Sequence, residues 1–291
     1  MRIMVLCLFA LTACLTKNEL SGSAFMKLEQ PRELRSPSPY RDSLNALPFE
    51  VESNRKGLEL FRDWVKQSKQ VDADGALKDF LEFQKQLLNE LNRKLYTRPD
   101  FETINSLIWS DTTEHAPEAV KLREEIKQYG LIFSSTEGIV YIDNALEPIR
   151  ETFYNHLTAS AKLFFDQYEK ESVEGFSEDG GMYISTLALA RRLGFWEEFL
   201  IRYPATIFKE HALNNITYYR YYLMVGMDNT PAFDYQSNQL LDEYKEAMIY
   251  YHNTFAGTPS ADILRAYLDI LSKNNHTYNE AVIDFLGQYR P

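Results

Sequence analysis

Apolar side chains recur every three or four residues along most of this chain, and this spacing constrains its fold more than any other feature. Such spacing places apolar groups on one face of an α-helix, which must then pack against another element. The clearest stripe lies between residues 77 and 95, and the Asp72–Gly75 turn before it predicts an N-cap. Its apolar positions are Leu77, Phe80, Leu81, Phe83, Leu87, Leu88, Leu91 and Leu95.

We therefore predict a mainly α fold in which helical hairpins stack as a repeat-like array. One segment breaks the helical spacing, because residues 131–142 alternate between short apolar runs and the Ser134–Gly138 turn. This pattern predicts one small β-hairpin. Segments 175–181 and 227–234 read as loops between helices, and a helix is predicted over residues 237–254.

The predicted domain organisation follows these changes in pattern and composition. Proline and serine dominate the segment before residue 51, which favours a tether, although part of it after Tyr40 could pack on the body. The predicted parts are a signal peptide (1–13), a lipidated tether (14–50), an N-terminal helical region (51–129), the β-hairpin (130–143) and a C-terminal repeat-like helical region (144–291).

The N-terminus has the parts of a secretory signal, since Arg2 precedes an apolar run that is too short to span a membrane. The run ends in Leu11-Thr12-Ala13-Cys14, which resembles the lipobox of bacterial lipoproteins. The resemblance implies cleavage before Cys14 and a diacylglyceryl group on its sulfur. Cys7 would leave with the signal peptide. The alternative is an ordinary apolar N-terminus with a chance cysteine.

The same resemblance implies a location in the bacterial cell envelope. Leu15 follows the cysteine where an aspartate would favour the inner membrane, so we expect an outer-membrane lipoprotein facing the periplasm in a diderm bacterium. The expected partners are the membrane, through the lipid on Cys14, and an envelope protein. A net charge of −11 argues against nucleic acid as a partner.

Residues 196–273 resemble tetratricopeptide-type helical repeats of envelope lipoproteins. The resemblance rests on the segment Trp196–Thr206 with its Tyr203-Pro204 turn, on Ala212, and on a fainter copy near Phe255–Ala261. It implies an interaction or scaffold module. The alternatives are a periplasmic protein that binds a small molecule, glycan or peptidoglycan fragment, and an envelope enzyme.

Tyrosines cluster in the same region, and tyrosine and arginine often anchor binding surfaces. Interhelical packing is the alternative explanation for the cluster. No catalytic motif is recognised, no cofactor is expected, and the five histidines show no metal-ligand spacing, although His211 and His252 could meet across packed helices. The candidate interaction surface comprises Tyr218, Tyr219, Arg220, Tyr222 and Tyr251.

Overall fold

The structure, a computed structural model, describes residues 39–68, 70–109 and 116–290. It confirms the mainly α fold class with small β-hairpins. The first helices are α1 (Pro39–Asn45), α2 (Val51–Gln67), α3 (Ala73–Tyr96), α4 (Phe101–Trp109), α5 (Pro117–Lys127) and α6 (Leu146–Phe153). They are followed by α7 (Ala159–Glu174), α8 (Thr186–Arg202), α9 (Lys209–Val225), α10 (Asp242–Thr254), α11 (Pro259–Lys273) and α12 (Glu280–Gly287).

The predicted hairpin is present, with β1 (Leu131–Thr136) antiparallel to β2 (Ile139–Asn144). Two shorter hairpins lie in the segments that were predicted to be loops, β3 (Ser177–Glu178) with β4 (Gly181–Met182) and β5 (Gly226–Met227) with β6 (Thr230–Pro231). Strands of two residues are too short to produce an alternating pattern, so the sequence gives no sign of them.

The three hairpins lie side by side. The backbone N–H of Glu137, at the tip of the first, donates to the carboxyl of Glu178 in the second over 2.8 Å. The N–H of Asn229, at the tip of the third, donates to the carbonyl of Gly180 in the second, also over 2.8 Å. Each hairpin follows one helix and precedes the next, so the described part of the chain contains three successive helix–hairpin–helix units.

Gly226 shows why glycine is needed where a helix turns into a hairpin. It ends α9 with φ of 71°, a conformation that residues with a side chain rarely adopt. A Cβ here would lie 2.4 Å from both the carbonyl oxygen of Thr230 and the amide nitrogen of Ala232. The close approach of the returning strand therefore requires glycine at this position.

The N-terminal helices pack around an aromatic cluster. The rings of Phe61 and Phe153 lie 4.2 Å apart, and Tyr40 stacks on Trp64 at 6.0 Å. Tyr40 and Leu44 are buried, so α1 belongs to the folded body although it falls within the predicted tether 14–50. Apolar burial explains this difference, because two large side chains of α1 leave water. The signal peptide and residues 14–38 of the predicted tether lie outside the described residues.

Further along the chain, α8 packs against both α9 and α10. Trp196 of α8 is fully buried, and its ring contacts Phe164 of α7 and His211 of α9. Helix α10 begins at Asp242, five residues later than predicted. Residues before it are held extended by bridges that pair Phe233 with Leu240 and Gln239 with Thr277. The backbone groups of this segment are therefore satisfied by pairing rather than by a helical turn.

Candidate functional site

A cleft of about 580 Å³ lies between α3 and the start of α9, with side chains of α7 at its base. Its volume falls within the range of roughly 300–1,000 Å³ that small-ligand sites occupy. The α3 wall includes Lys78, Leu81, Glu82, Lys85, Leu88 and Asn89, and the opposite wall includes Ile207, Phe208, Glu210, His211 and Asn214.

Hydrogen bonds fix the α3 wall of the cleft at both of its ends. At the N-terminal end, the carboxyl of Asp74 accepts bonds of 3.0 and 2.6 Å from the amide and hydroxyl of Thr158, which caps α7. At the C-terminal end, the amide of Asn92 exchanges bonds of 2.8 and 2.7 Å with the backbone of Ile142 in β2. Helix α3 is thereby held to α7 and β2, which also border the cleft. These bonds preorganise the site.

Aromatic rings form the base of the cleft. Phe164 and Phe208 stack with 3.8 Å between ring centroids, and His211 lies edge-on to Phe164 at 5.1 Å and to Trp196 at 5.3 Å. Burial among these rings lowers the pKa of His211 to about 4. The amide nitrogen of Asn215 lies 3.1 Å from Nε2 of the imidazole. The ring is therefore neutral at physiological pH.

The charged side chains of the cleft are balanced in sign. Lys78 lies 3.6 Å from Glu82, one turn along α3, and both are partly or fully exposed. Lys85 on one wall and Glu210 on the other are exposed and form no ion pair with any residue that the structure describes. The cleft thus presents no net charge within a strongly acidic chain.

Amide groups face the cleft from three different segments. Asn89 on α3 and Asn214 on α9 are exposed, and neither side chain has a hydrogen-bond partner among the described residues. Asn144, at the end of β2, is half-buried beside Tyr168. Burial raises the pKa of Tyr168, the charge of Asp143 adds to this, and a bond with the Asn144 side chain opposes it. These groups can both donate and accept hydrogen bonds.

A second, more open depression of about 570 Å³ continues the cleft along α3. Asn89 lines both depressions, and the second is bordered by Tyr96 on α3 and by Thr136 and Tyr141 of the first hairpin. The concave surface therefore runs from Lys78 to Tyr96, which is about 27 Å at the rise of an α-helix. We call this surface the α3 cleft.

Two residues of the predicted interaction surface are buried in the core. Tyr219 donates a hydrogen bond of 2.8 Å to the carboxyl of Glu171, and Tyr251 donates one of 3.1 Å to that of Glu197. Burial raises the pKa of both tyrosines, and the neighbouring carboxyl adds to the effect. Both hydroxyls thus join one helix to another.

The other residues of that surface lie nearer to solvent. Tyr218 is 48% exposed and stacks on Tyr222 at 6.5 Å, and Tyr222 also contacts Phe176 at 5.7 Å. The guanidinium of Arg220 lies over the ring of Tyr289 at 5.5 Å. The structure brings Tyr218 and Tyr222 together and separates them from buried Tyr251, and their role in binding stays a prediction. The lipid-attachment residue Cys14 lies outside the described residues.

Sequence reasoning missed the α3 cleft because its lining comes from distant segments of the chain. His211 was named beforehand as one histidine among five, and Leu81 and Leu88 were named as part of the α3 stripe. Within the described ranges, no group of three or more His, Cys, Asp or Glu side chains is placed to hold a metal ion. In the same ranges, no helix has the length and apolar character to cross a membrane.

Comparisons with protein-family models, with curated proteins and with solved structures give no match for this chain. The geometry of the α3 cleft and the residues of the N-terminus are therefore the features that bear on function.

Proposed function

We propose that this chain is a lipid-anchored binding module of the bacterial cell envelope, with the α3 cleft as its binding site. The observation that carries the proposal is the cleft itself, which combines a ligand-sized volume with exposed amides that have no partners among the described residues. The Leu11–Cys14 segment supports the anchor, and Leu15 supports the outer membrane with the body facing the periplasm.

The side chains that line the cleft favour binding over catalysis as its role. Its lining offers amides, a neutral imidazole, and lysine and glutamate side chains placed singly or in one exposed pair. Such groups orient a ligand through hydrogen bonds. The scaffold role predicted from the tetratricopeptide-like region is compatible with this proposal when the bound ligand belongs to a larger envelope component.

The anchor is tested by replacing the lipid-attachment residue. We expect Cys14→Ser to move the protein from the membrane fraction to the soluble fraction, because the sulfur that would carry the acyl chains is removed. Cys7→Ser is the matched control and should remain in the membrane fraction, since Cys7 would leave with the signal peptide. Quantitative immunoblotting of fractionated cells measures both, and an unchanged membrane fraction for Cys14→Ser contradicts the anchor.

The cleft is tested by photocrosslinking in cells. A diazirine-bearing lysine analogue replaces Lys85 in the α3 cleft or, as a control, Lys56, which is also exposed in the middle of a helix. We expect irradiation to add a discrete mass to the protein with the probe at position 85 and not at position 56. Intact-mass spectrometry reads the result, and the same adducts at both positions would argue against a binding site in the cleft.

A further inference from the structure

We infer that the ligand of the α3 cleft is a neutral saccharide, an inference that rests on the function proposed above. The charged side chains of the cleft favour an uncharged ligand. The cleft presents Lys78 beside Glu82, Lys85 across from Glu210 and, at the second depression, Arg93 paired with Glu90, so its positive and negative groups match in number. Strong binding of phosphate or another anion needs clustered cationic donors. A charged ligand would pair with one sign of charge in the cleft and leave the other without a partner, whereas an uncharged ligand does not disturb this balance.

The hydrogen-bonding groups of the cleft favour a ligand with many polar groups. Asn89 and Asn214 each carry an exposed amide that donates and accepts and that has no partner among the described residues. Asn144 adds a third amide, which also bonds to the hydroxyl of Tyr168. Sugar hydroxyls and acetamido groups both donate and accept, so amides on three segments of the chain suit a polyhydroxylated ligand.

The sheet edge that borders the cleft disfavours an extended peptide, which would add there as a strand. Asn92 already pairs with both backbone groups of Ile142. Asn105 donates to the carbonyl of Gly138 over 3.0 Å and accepts from the amide of Val140 over 2.7 Å. These side chains occupy three outward-facing backbone groups of β2 and the carbonyl of Gly138 before it, so an added peptide strand would have to displace them.

The aromatic rings of the cleft differ in how far a ligand can reach them. Phe164 and Phe208 are 1% and 4% exposed, so these rings offer a ligand little surface, and the apolar side chains that remain in the lining are the half-buried Leu81, Leu88 and Ile207. The accessible rings are instead separate tyrosines, with Tyr168 and Tyr141 half-buried and Tyr96 46% exposed. Separate aromatic rings with polar tips suit the apolar C–H faces of successive sugar units.

The test is calorimetric titration of the full chain in a sugar-free detergent. The probes are three neutral tetrasaccharides, chitotetraose, cellotetraose and maltotetraose, with tetraalanine and inorganic phosphate as the alternatives. We expect at least one tetrasaccharide to bind. The double variant Asn89→Ala/Asn214→Ala should weaken that binding at least tenfold, and Asn253→Ala, an exposed asparagine on α10, should leave it within twofold.

Failure of all three tetrasaccharides overturns the inference, as does saccharide binding that the double variant leaves unchanged. Binding of tetraalanine or phosphate in their place assigns the cleft to a peptide or an anion. In each case the proposed function stands if the diazirine probe at position 85 still adds a discrete mass. If that adduct is also absent, the binding site itself is refuted.

Discussion

Glu197→Ala is expected to lower the free energy of unfolding by about 4 kcal/mol, because several buried donors lose their acceptor at once. Glu197 is 3% exposed. It accepts from the Ser260 amide at 3.1 Å, from the Ser260 hydroxyl at 2.5 Å and from the Tyr251 hydroxyl at 3.1 Å. It thus joins α8 to α10 and satisfies an N–H in the first turn of α11.

Glu198→Ala is the matched control, since Glu198 is the next residue of the same helix and is exposed. We expect it to change the free energy of unfolding by no more than about 0.5 kcal/mol. Urea denaturation followed by circular dichroism measures both variants. A loss below about 1 kcal/mol for Glu197→Ala would show that water replaces these hydrogen bonds at little cost.

Acidification is expected to destabilise the protein through His211 by up to about 3 kcal/mol between pH 6.5 and pH 4. Burial lowers the pKa of this imidazole from 6.5 to about 4. Between these two values the unfolded chain binds a proton that the folded protein does not, so stability falls as pH falls. Below pH 4 both states are protonated and the loss from this group is complete.

His211→Phe should remove this part of the pH dependence while preserving a ring among Phe164, Tyr168 and Trp196. Burial raises the pKa of nearby Glu171 and gives a dependence of opposite sign, so the quantity to compare is the difference between wild type and variant. His156→Phe, at an exposed ring, is the control. Equal slopes of unfolding free energy against pH for wild type and His211→Phe would contradict this assignment.

Much of the fold could be predicted from the sequence where the pattern was long and local. The apolar stripe of α3 and its cap are confirmed, since Asp72 accepts a bond from the amide of Gly75. The β1–β2 hairpin is also confirmed, and its turn places Glu137 and Gly138 at positive φ, as a tight hairpin turn requires.

The α3 cleft could not be predicted, because its residues become neighbours only through tertiary packing. Lys85, Asn144 and Asn214 are separated by more than fifty residues each, and no local pattern links them. The same limit applies to the tyrosine cluster. Consecutive tyrosines at 218 and 219 point in different directions on a helix, and only the packed structure shows that Tyr219 meets Glu171 while Tyr218 remains exposed.

The central claim, that the α3 cleft is a binding site, is tested most directly by native mass spectrometry of the full chain purified from its own cells. We predict a population that carries a discrete non-covalent mass, measured relative to the mature chain with its acyl groups. This population should disappear in Asn89→Trp, which places a bulky ring where the two depressions of the cleft meet, and persist in Asn253→Trp on α10. No added mass on the wild-type protein, or the same added mass on both variants, would contradict the claim.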